Sequence, residues 1–166
     1  MRKTVIGVMG GTVADARTTE LATELGRLIA ERGWVLLSGG RREGVMQASV
    51  TGASEAGGLT VGVLFDDDHA LAAEGLDIVI PTGMGAARNI INVFSSDVVV
   101  ACRGTGGTLS EIALALRFNR PVVLLDFEPG EDFLNAGAPV VKWSLAATPA
   151  EAVEQVAGYL AELGRS

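Results

Sequence analysis

The chain has 166 residues, 13 Lys and Arg against 20 Asp and Glu, and a formal net charge of −7. Its length predicts one domain spanning residues 1–166, and a hydrophobic content of 48% excludes a disordered acidic chain, because so much apolar surface has to be buried. The negative balance argues against a general nucleic-acid binder, which needs a basic field to displace counterions, although a local basic patch can still hold a small anion.

A short apolar run at residues 4–8 is followed at once by Gly10 and Gly11. It reads as a strand rather than a signal peptide, and no 18-residue apolar span offers a membrane helix. Residues 20–32 repeat apolar side chains at Leu21, Leu25, Leu28 and Ile29, with Gly33 placed to cap the helix in a left-handed conformation. A strand at 34–37, a helix at 45–55 and a strand at 59–64 follow. The acidic stretch at 65–75, with Asp66, Asp67, Asp68 and His69, reads as a solvated loop. A Mg²⁺ site is the alternative there, weakened because three adjacent aspartates cannot all face one ion. Next come a strand at 76–80, a helix at 86–94, a strand at 97–101, a helix at 109–118 and strands at 121–125 and 139–141. The last helix, 150–163, opens with Thr148-Pro149-Ala150-Glu151, a capping box with proline at the first helical position.

The strand runs are rich in Val and Ile without clean alternation, as expected of strands covered on both faces. Strand and helix in repetition predict an α/β three-layer sandwich, with a central, mostly parallel sheet of about seven strands and helices on both faces. One cysteine, Cys102, cannot form an internal disulfide, and with His69 as the lone histidine a Cys/His zinc site is excluded. Cys102, at the end of a buried strand, reads as a small hydrophobe rather than a thiolate ligand, and no metal is expected. Trp34 and Trp143 read as core or interface anchors. A reducing, cytoplasmic setting fits this composition.

The 22 glycines gather at strand–helix junctions. Four turns stand out: Gly10-Gly11-Thr12, Ser38-Gly39-Gly40-Arg41-Arg42-Glu43-Gly44, Thr82-Gly83-Met84-Gly85 and Arg103-Gly104-Thr105-Gly106-Gly107-Thr108. In a parallel sheet such turns share the carboxyl edge, where backbone amides and a helix N-terminus attract phosphate. None ends in Gly-Lys-Ser/Thr, and none spells G-x-G-x-x-G after the first strand, which disfavours a Walker loop and NAD. The residue pattern therefore predicts binding of a phosphate-bearing anion.

Three blocks, Gly39-Gly40-x-x-x-Gly44-Val45-Met46, Arg88-Asn89 and Gly104-x-x-Gly107-Thr108-x-x-Glu111, resemble the signatures of the Rossmann-like superfamily that includes the Lonely Guy-type cytokinin-activating phosphoribohydrolases. The longer block from Thr82 to Asn92, followed by Ser95-Ser96-Asp97, resembles the molybdenum-cofactor carrier branch more closely. The likeness runs from about residue 3 to 125 by motif and to the end by element order. The resemblance implies a Rossmann-like fold, a homo-oligomer (dimer or tetramer) and one of two functions. Helices 86–94 and 109–118 add sequence support for the oligomer, since both are apolar over much of their circumference. The "lysine decarboxylase" label carried by parts of the superfamily does not suit this chain: its only lysines, Lys3 and Lys142, lie away from the glycine-rich edge, whereas pyridoxal chemistry needs a buried lysine there.

As a hydrolase, the resemblance implies that Arg88 and Glu111 cleave the N-glycosidic bond of a nucleoside 5′-monophosphate, the carboxylate assisting oxocarbenium-like charge or water and the arginine orienting substrate. As a carrier, the same edge holds molybdenum cofactor without turnover, and no cofactor is required for activity. Gly10, Gly11, Thr12, Gly39, Gly40, Arg41, Gly83, Gly85, Arg88, Asn89, Gly104, Thr105, Gly106, Gly107, Thr108 and Glu111 are the expected ligand contacts. Asn89 stands where the hydrolase pattern usually has lysine, Arg41 replaces one glycine of the second turn and Thr105 one of the fourth; these departures favour the carrier. Arg41, Arg42 and Arg103 form a candidate oxyanion clamp, or else solvate loop tips. Glu111 has a structural alternative as the second half of a Thr108–Glu111 capping box. Arg88 at a helix start, where the macrodipole disfavours a cation, is best explained by an anion beside it. Asn89 bonds either a ligand or its own turn.

Overall fold

The central sheet of this computed structural model, which describes residues 2–136 and 142–165, is wound outward in both directions from its middle. Its strands are β1 (Val5–Met9), β2 (Val35–Ser38), β3 (Thr60–Leu64), β4 (Ile78–Pro81), β5 (Val98–Ala101), β6 (Val122–Leu125) and β7 (Trp143–Ala146). They pair in the order β4-β3-β2-β1-β5-β6-β7, every pair parallel. The helices are α1 (Ala16–Glu31), α2 (Gly44–Glu55), α3 (Asn89–Ser95), α4 (Gly106–Arg117), α5 (Glu131–Asn135) and α6 (Pro149–Glu162). The α/β sandwich read from the sequence is the observed architecture.

Alternate strand residues feed two separate cores. Ile6, Val8, Leu36, Val98, Val100 and Leu125 pack with Leu25 and Ile29 of α1, Val45 and Val50 of α2, and Val156 and Leu160 of α6. Met9, Leu37, Val99, Ala101 and Leu124 pack on the other face with Val93 of α3 and Ile112 and Leu116 of α4. Burial on both faces is why the strands lack a polar side, each apolar side chain removing roughly 1.5–3 kcal/mol worth of surface from water. Trp34 is half-buried against the first core and Trp143 against the second, so both act as core anchors.

Boundaries moved where periodicity was silent. Helix α1 begins at Ala16, four residues before the apolar period, because the Asp15 side chain accepts from the Thr18 amide at 2.7 Å and caps it. The span 86–94 is split: a 3-10 turn (Gly85–Arg88) leads into α3. Helix α5 is too short to show a period. The strand expected at 139–141 lies outside the described residues, and β7 follows at Trp143. The capping box of α6 forms with a shift. Thr148 Oγ1 accepts from the Glu151 amide (3.2 Å), while the Glu151 carboxylate accepts from Ala147 rather than from Thr148.

Helices α1 and α2 meet through glycines. A Cβ on Gly26 would overlap the Ser49 carbonyl, and one on Gly52 the Thr23 carbonyl. Gly52→Ala is therefore expected to force the helices apart and lower unfolding free energy by about 1–3 kcal/mol. A lower urea midpoint with an unchanged far-UV dichroism spectrum checks this; an unchanged midpoint refutes it.

Candidate functional site

Chain winding reverses between β1 and β5, so the connections after these two neighbouring strands leave in opposite directions and open a crevice at the carboxyl edge. A cleft of about 120 Å³ lies there, lined by Gly10, Gly11 and Thr12 after β1, by Gly39 after β2 and Met46 of α2, and by Arg88, Asn89, Thr105, Gly107, Thr108 and Glu111. Of the expected contacts, Gly40, Arg41, Gly83, Gly85, Gly104 and Gly106 do not line it.

The amides explain that division. Gly83 and Gly85 donate to the Asp66 and Phe65 carbonyls at 2.9 and 3.1 Å, holding the 65–75 loop rather than facing the cleft. Gly40 donates to Ser38 Oγ (3.1 Å), and Gly11 donates to the Arg103 carbonyl (3.0 Å), tying the first turn to the fourth. Gly104 is needed for that junction, since a Cβ there would strike Thr108 and sit 2.9 Å from the Gly11 amide. Several glycines thus serve turn-on-turn packing. The open donors are those of α4: Thr105 is its N-cap without a side-chain capping bond, and a Cβ on Gly106 or Gly107 would meet only open space. First-turn amides have no intrahelical partner, so this end carries partial positive charge into the cleft.

Because α4 begins at Gly106, Thr108 lies inside its first turn and the expected Thr108–Glu111 capping box does not form. Glu111 Oε1 instead accepts from Asn92 Nδ2 of α3 at 2.9 Å. Burial pushes the Glu111 carboxyl up to about 7, against the opposing pull of Asn92 and Arg88. Arg88, the last residue of the 3-10 turn, is 9% exposed. Its Nη1 lies 3.8 Å from Glu111 Oε1, beyond hydrogen-bond reach, and donates to Asn89 Oδ1 at 3.3 Å, while Nε has no partner. Burial also draws the Arg88 pKa below its ordinary value, with Glu111 and Asp66 opposing. Gly39 makes room for this guanidinium: a Cβ there would lie 2.8 Å from Nη1. Asn89 Nδ2 donates to Ser110 Oγ at 2.9 Å, bracing the start of α4.

The three-arginine clamp is not assembled. Arg41 forms an isolated antiparallel bridge to Ala72, and the chain bends at Arg42, so the two side chains part. Arg41 lies over Phe65, 4.6 Å from the ring centre, whereas Arg42 turns to Glu74 (3.6 Å) and the Ala72 carbonyl. Arg103 is exposed and lies over Phe127. The sequence reading missed Asn92 and Phe65; a buried asparagine one helical turn after Arg88 was the available signal for the first. Burial pushes the Cys102 thiol up to about 12, so it stays neutral in the core. His69 is exposed, and among the described residues no cluster of three or more His, Cys, Asp or Glu is placed to hold a metal ion. Lys3 is exposed and Lys142 pairs with Glu162 at 2.6 Å, so neither approaches the cleft.

A sequence model of the SLOG cluster4 family matches residues 3–155. The chain belongs to the SLOG cluster4 family. Among solved structures, the molybdenum cofactor binding protein from the phototrophic bacterium Rippkaea orientalis is 45% identical, with a TM-score of 0.90 over 96% of this chain and 99% of that one. The Moco carrier protein from Chlamydomonas reinhardtii is 43% identical, with a TM-score of 0.85 over 97% and 99%. A cytokinin riboside 5′-monophosphate phosphoribohydrolase from Mycobacterium tuberculosis is 33% identical over 131 residues, 74% of this chain and 70% of that one. This SLOG protein is thus similar at full length to cofactor carriers and more distantly to a hydrolase.

Glu111 carries a pH signature. Its folded pKa of about 7 lies above the ordinary 4.5. The native state therefore binds the extra proton, and the associated stability, present in full below about pH 4.5, is lost as pH rises through 7. The size is at most roughly 3 kcal/mol. Denaturant titrations at pH 5 and pH 8 should show a decline in the native chain that Glu111→Gln abolishes; equal slopes for both proteins would refute the assignment.

Proposed function

We propose that this protein binds and carries molybdenum cofactor, an anionic, phosphate-bearing cargo, in the cleft between the β1 and β5 connections. The full-length likeness to molybdenum cofactor binding and carrier proteins carries this reading. The uncapped start of α4 supports it. In this reading the amides of Gly107 and Thr108 take the phosphate and Arg88 supplies positive charge, while Gly106, outside the cleft lining, opens the helix start. Gly10, Gly11, Thr12 and Gly39 form close walls, and Asn89 and Thr105 line the mouth. Gly40, Gly83, Gly85 and Gly104 shape the turns behind them. Glu111 beside an anion is held protonated, which removes the repulsion a carboxylate would exert.

A second reading, nucleoside-monophosphate phosphoribohydrolase, is favoured by the buried Arg88–Glu111 pair at 3.8 Å and by the mycobacterial relative. A carboxyl whose pKa lies near 7 suits proton transfer to a departing base. The carrier reading also takes the protein as cytoplasmic and as a homo-oligomer. Phe94 and Phe118, each nearly half exposed and packed at a tilt with centroids 4.9 Å apart, and Ile78 and Ile80 of edge strand β4 leave apolar surface for a second copy. No helix among the described residues is long and apolar enough to cross a membrane.

Ultrafiltration with molybdenum cofactor, with metal and pterin counted in the retained fraction, should give saturable binding that Glu111→Gln preserves. The carrier reading falls if AMP is instead turned over to adenine and ribose 5-phosphate, with the turnover lost in Glu111→Gln.

A further inference from the structure

Arg41 is partly buried, with its side chain 18% exposed, yet it is poorly partnered. Its Nε lies 3.5 Å from Asp66 Oδ2, and both atoms are buried without a hydrogen bond; its Nη1 lies 3.6 Å from Glu43 Oε2. Arg88, also with an unpartnered Nε, lies 5.7 Å from the centre of the same Phe65 ring that Arg41 covers at 4.6 Å. Two guanidinium groups, one buried and one partly so, share one aromatic ring, and each has a buried Nε donor that nothing among the described residues accepts. Buried polar atoms are normally satisfied, and guanidinium donors in a fixed fork suit oxyanions above other acceptors. The single phosphate assigned to the start of α4 does not explain Arg41, which lies outside the cleft lining beyond Gly39.

We propose that Arg41 and Arg88, arranged on Phe65, form a second oxyanion subsite beside the phosphate subsite, and that Asp66 is the internal counterion an arriving oxyanion displaces from Arg41. The ligand class is then an anion charged at both ends: a phosphate monoester at one and a compact oxyanion of molybdate type at the other. This deepens, and rests on, the reading of the cleft as a carrier site. Arg88 stands between the two subsites, because it lines the cleft and also faces Phe65. Asp66 belongs to the loop that Gly83 and Gly85 tie down through their amides, so its backbone is fixed and its displacement from Arg41 is a rotation of the side chain alone.

The two subsites are separable with simple probes: ribose 5-phosphate for the first and inorganic molybdate for the second, by calorimetry on the whole protein. The expected result is that molybdate binds in the presence of saturating ribose 5-phosphate. Arg41→Gln should weaken molybdate by about tenfold or more while changing ribose 5-phosphate by less than about twofold, the loss expected for charge-assisted hydrogen bonds. Asp66→Asn should strengthen molybdate several-fold, a gain that misfolding cannot produce. Molybdate that competes with ribose 5-phosphate for one site, or that is indifferent to both substitutions, overturns the subsite. Molybdate binding that depends on Arg41 in a protein that never binds ribose 5-phosphate supports the subsite and overturns only the phosphate reading.

Discussion

A guanidinium held beneath a glycine is the constraint around which this edge of the sheet is arranged. Arg88 is buried, its carboxylate neighbour stands 3.8 Å away rather than in contact, and Nε is unpartnered. Removing a cation from water costs several kcal/mol unless close, well-directed partners replace the solvent. Here they do not: burial draws the Arg88 pKa down and the Glu111 pKa up, so neither charge fully compensates the other. The rest of the fold accommodates this imbalance. Gly39 is bare because any Cβ would strike the guanidinium, and Asn89 and Asn92 hold the two ends of the pair. Such an arrangement is explicable in a protein whose missing compensation arrives with an anion.

The same logic separates two kinds of glycine. Gly44 and Gly104 are small because the turn after β1 passes close to the space a side chain would fill, and Gly10 because the Val45 side chain of α2 occupies it; Gly44, in addition, has φ +50°. Gly106 and Gly107 have nothing in front of them. The first group brings the connections after β1, β2 and β5 close enough to share one crevice, and the second leaves the start of α4 open toward it. Close packing of the turns is what aims a single helix N-terminus, so the electrostatic feature depends on the steric one.

The fold was legible in the sequence because burial on both faces leaves its mark on composition: Val98, Val99 and Val100 read as a covered parallel strand whichever way each side chain points. The outlines of the site were legible as well, since Gly39, Arg88, Thr108 and Glu111 do meet. What failed was direction. Gly83 and Gly85 look identical to Gly106 and Gly107 in sequence, yet their amides turn to the 65–75 loop, because hydrogen-bond destination is set by the loop opposite. Adjacent Arg41 and Arg42 read as one basic patch, but the first turns to Phe65 and Asp66 and the second to Glu74. The Thr108–Glu111 spacing satisfied a capping rule that the true helix start, three residues earlier, made irrelevant; Glu111 was thereby freed to take its bond from Asn92, at a distance of 19 residues in the chain.

Carrier and hydrolase differ less in which groups are present than in what the Arg88–Glu111 pair is asked to do. Catalysis needs Glu111 to exchange a proton with the substrate while Arg88 holds the sugar phosphate, so both must reach the reacting atoms. Storage needs only that the carboxyl be neutral when the anion is bound, and a pKa near 7 provides this because a nearby anion raises it further. Asn89 tips the balance. A lysine at this position would offer a second cation to a developing negative charge, whereas the asparagine amide is occupied by Ser110 and its oxygen by Arg88. With those groups engaged in holding the site's shape, the pair retains the means to bind an anion tightly and has fewer free groups with which to transform one.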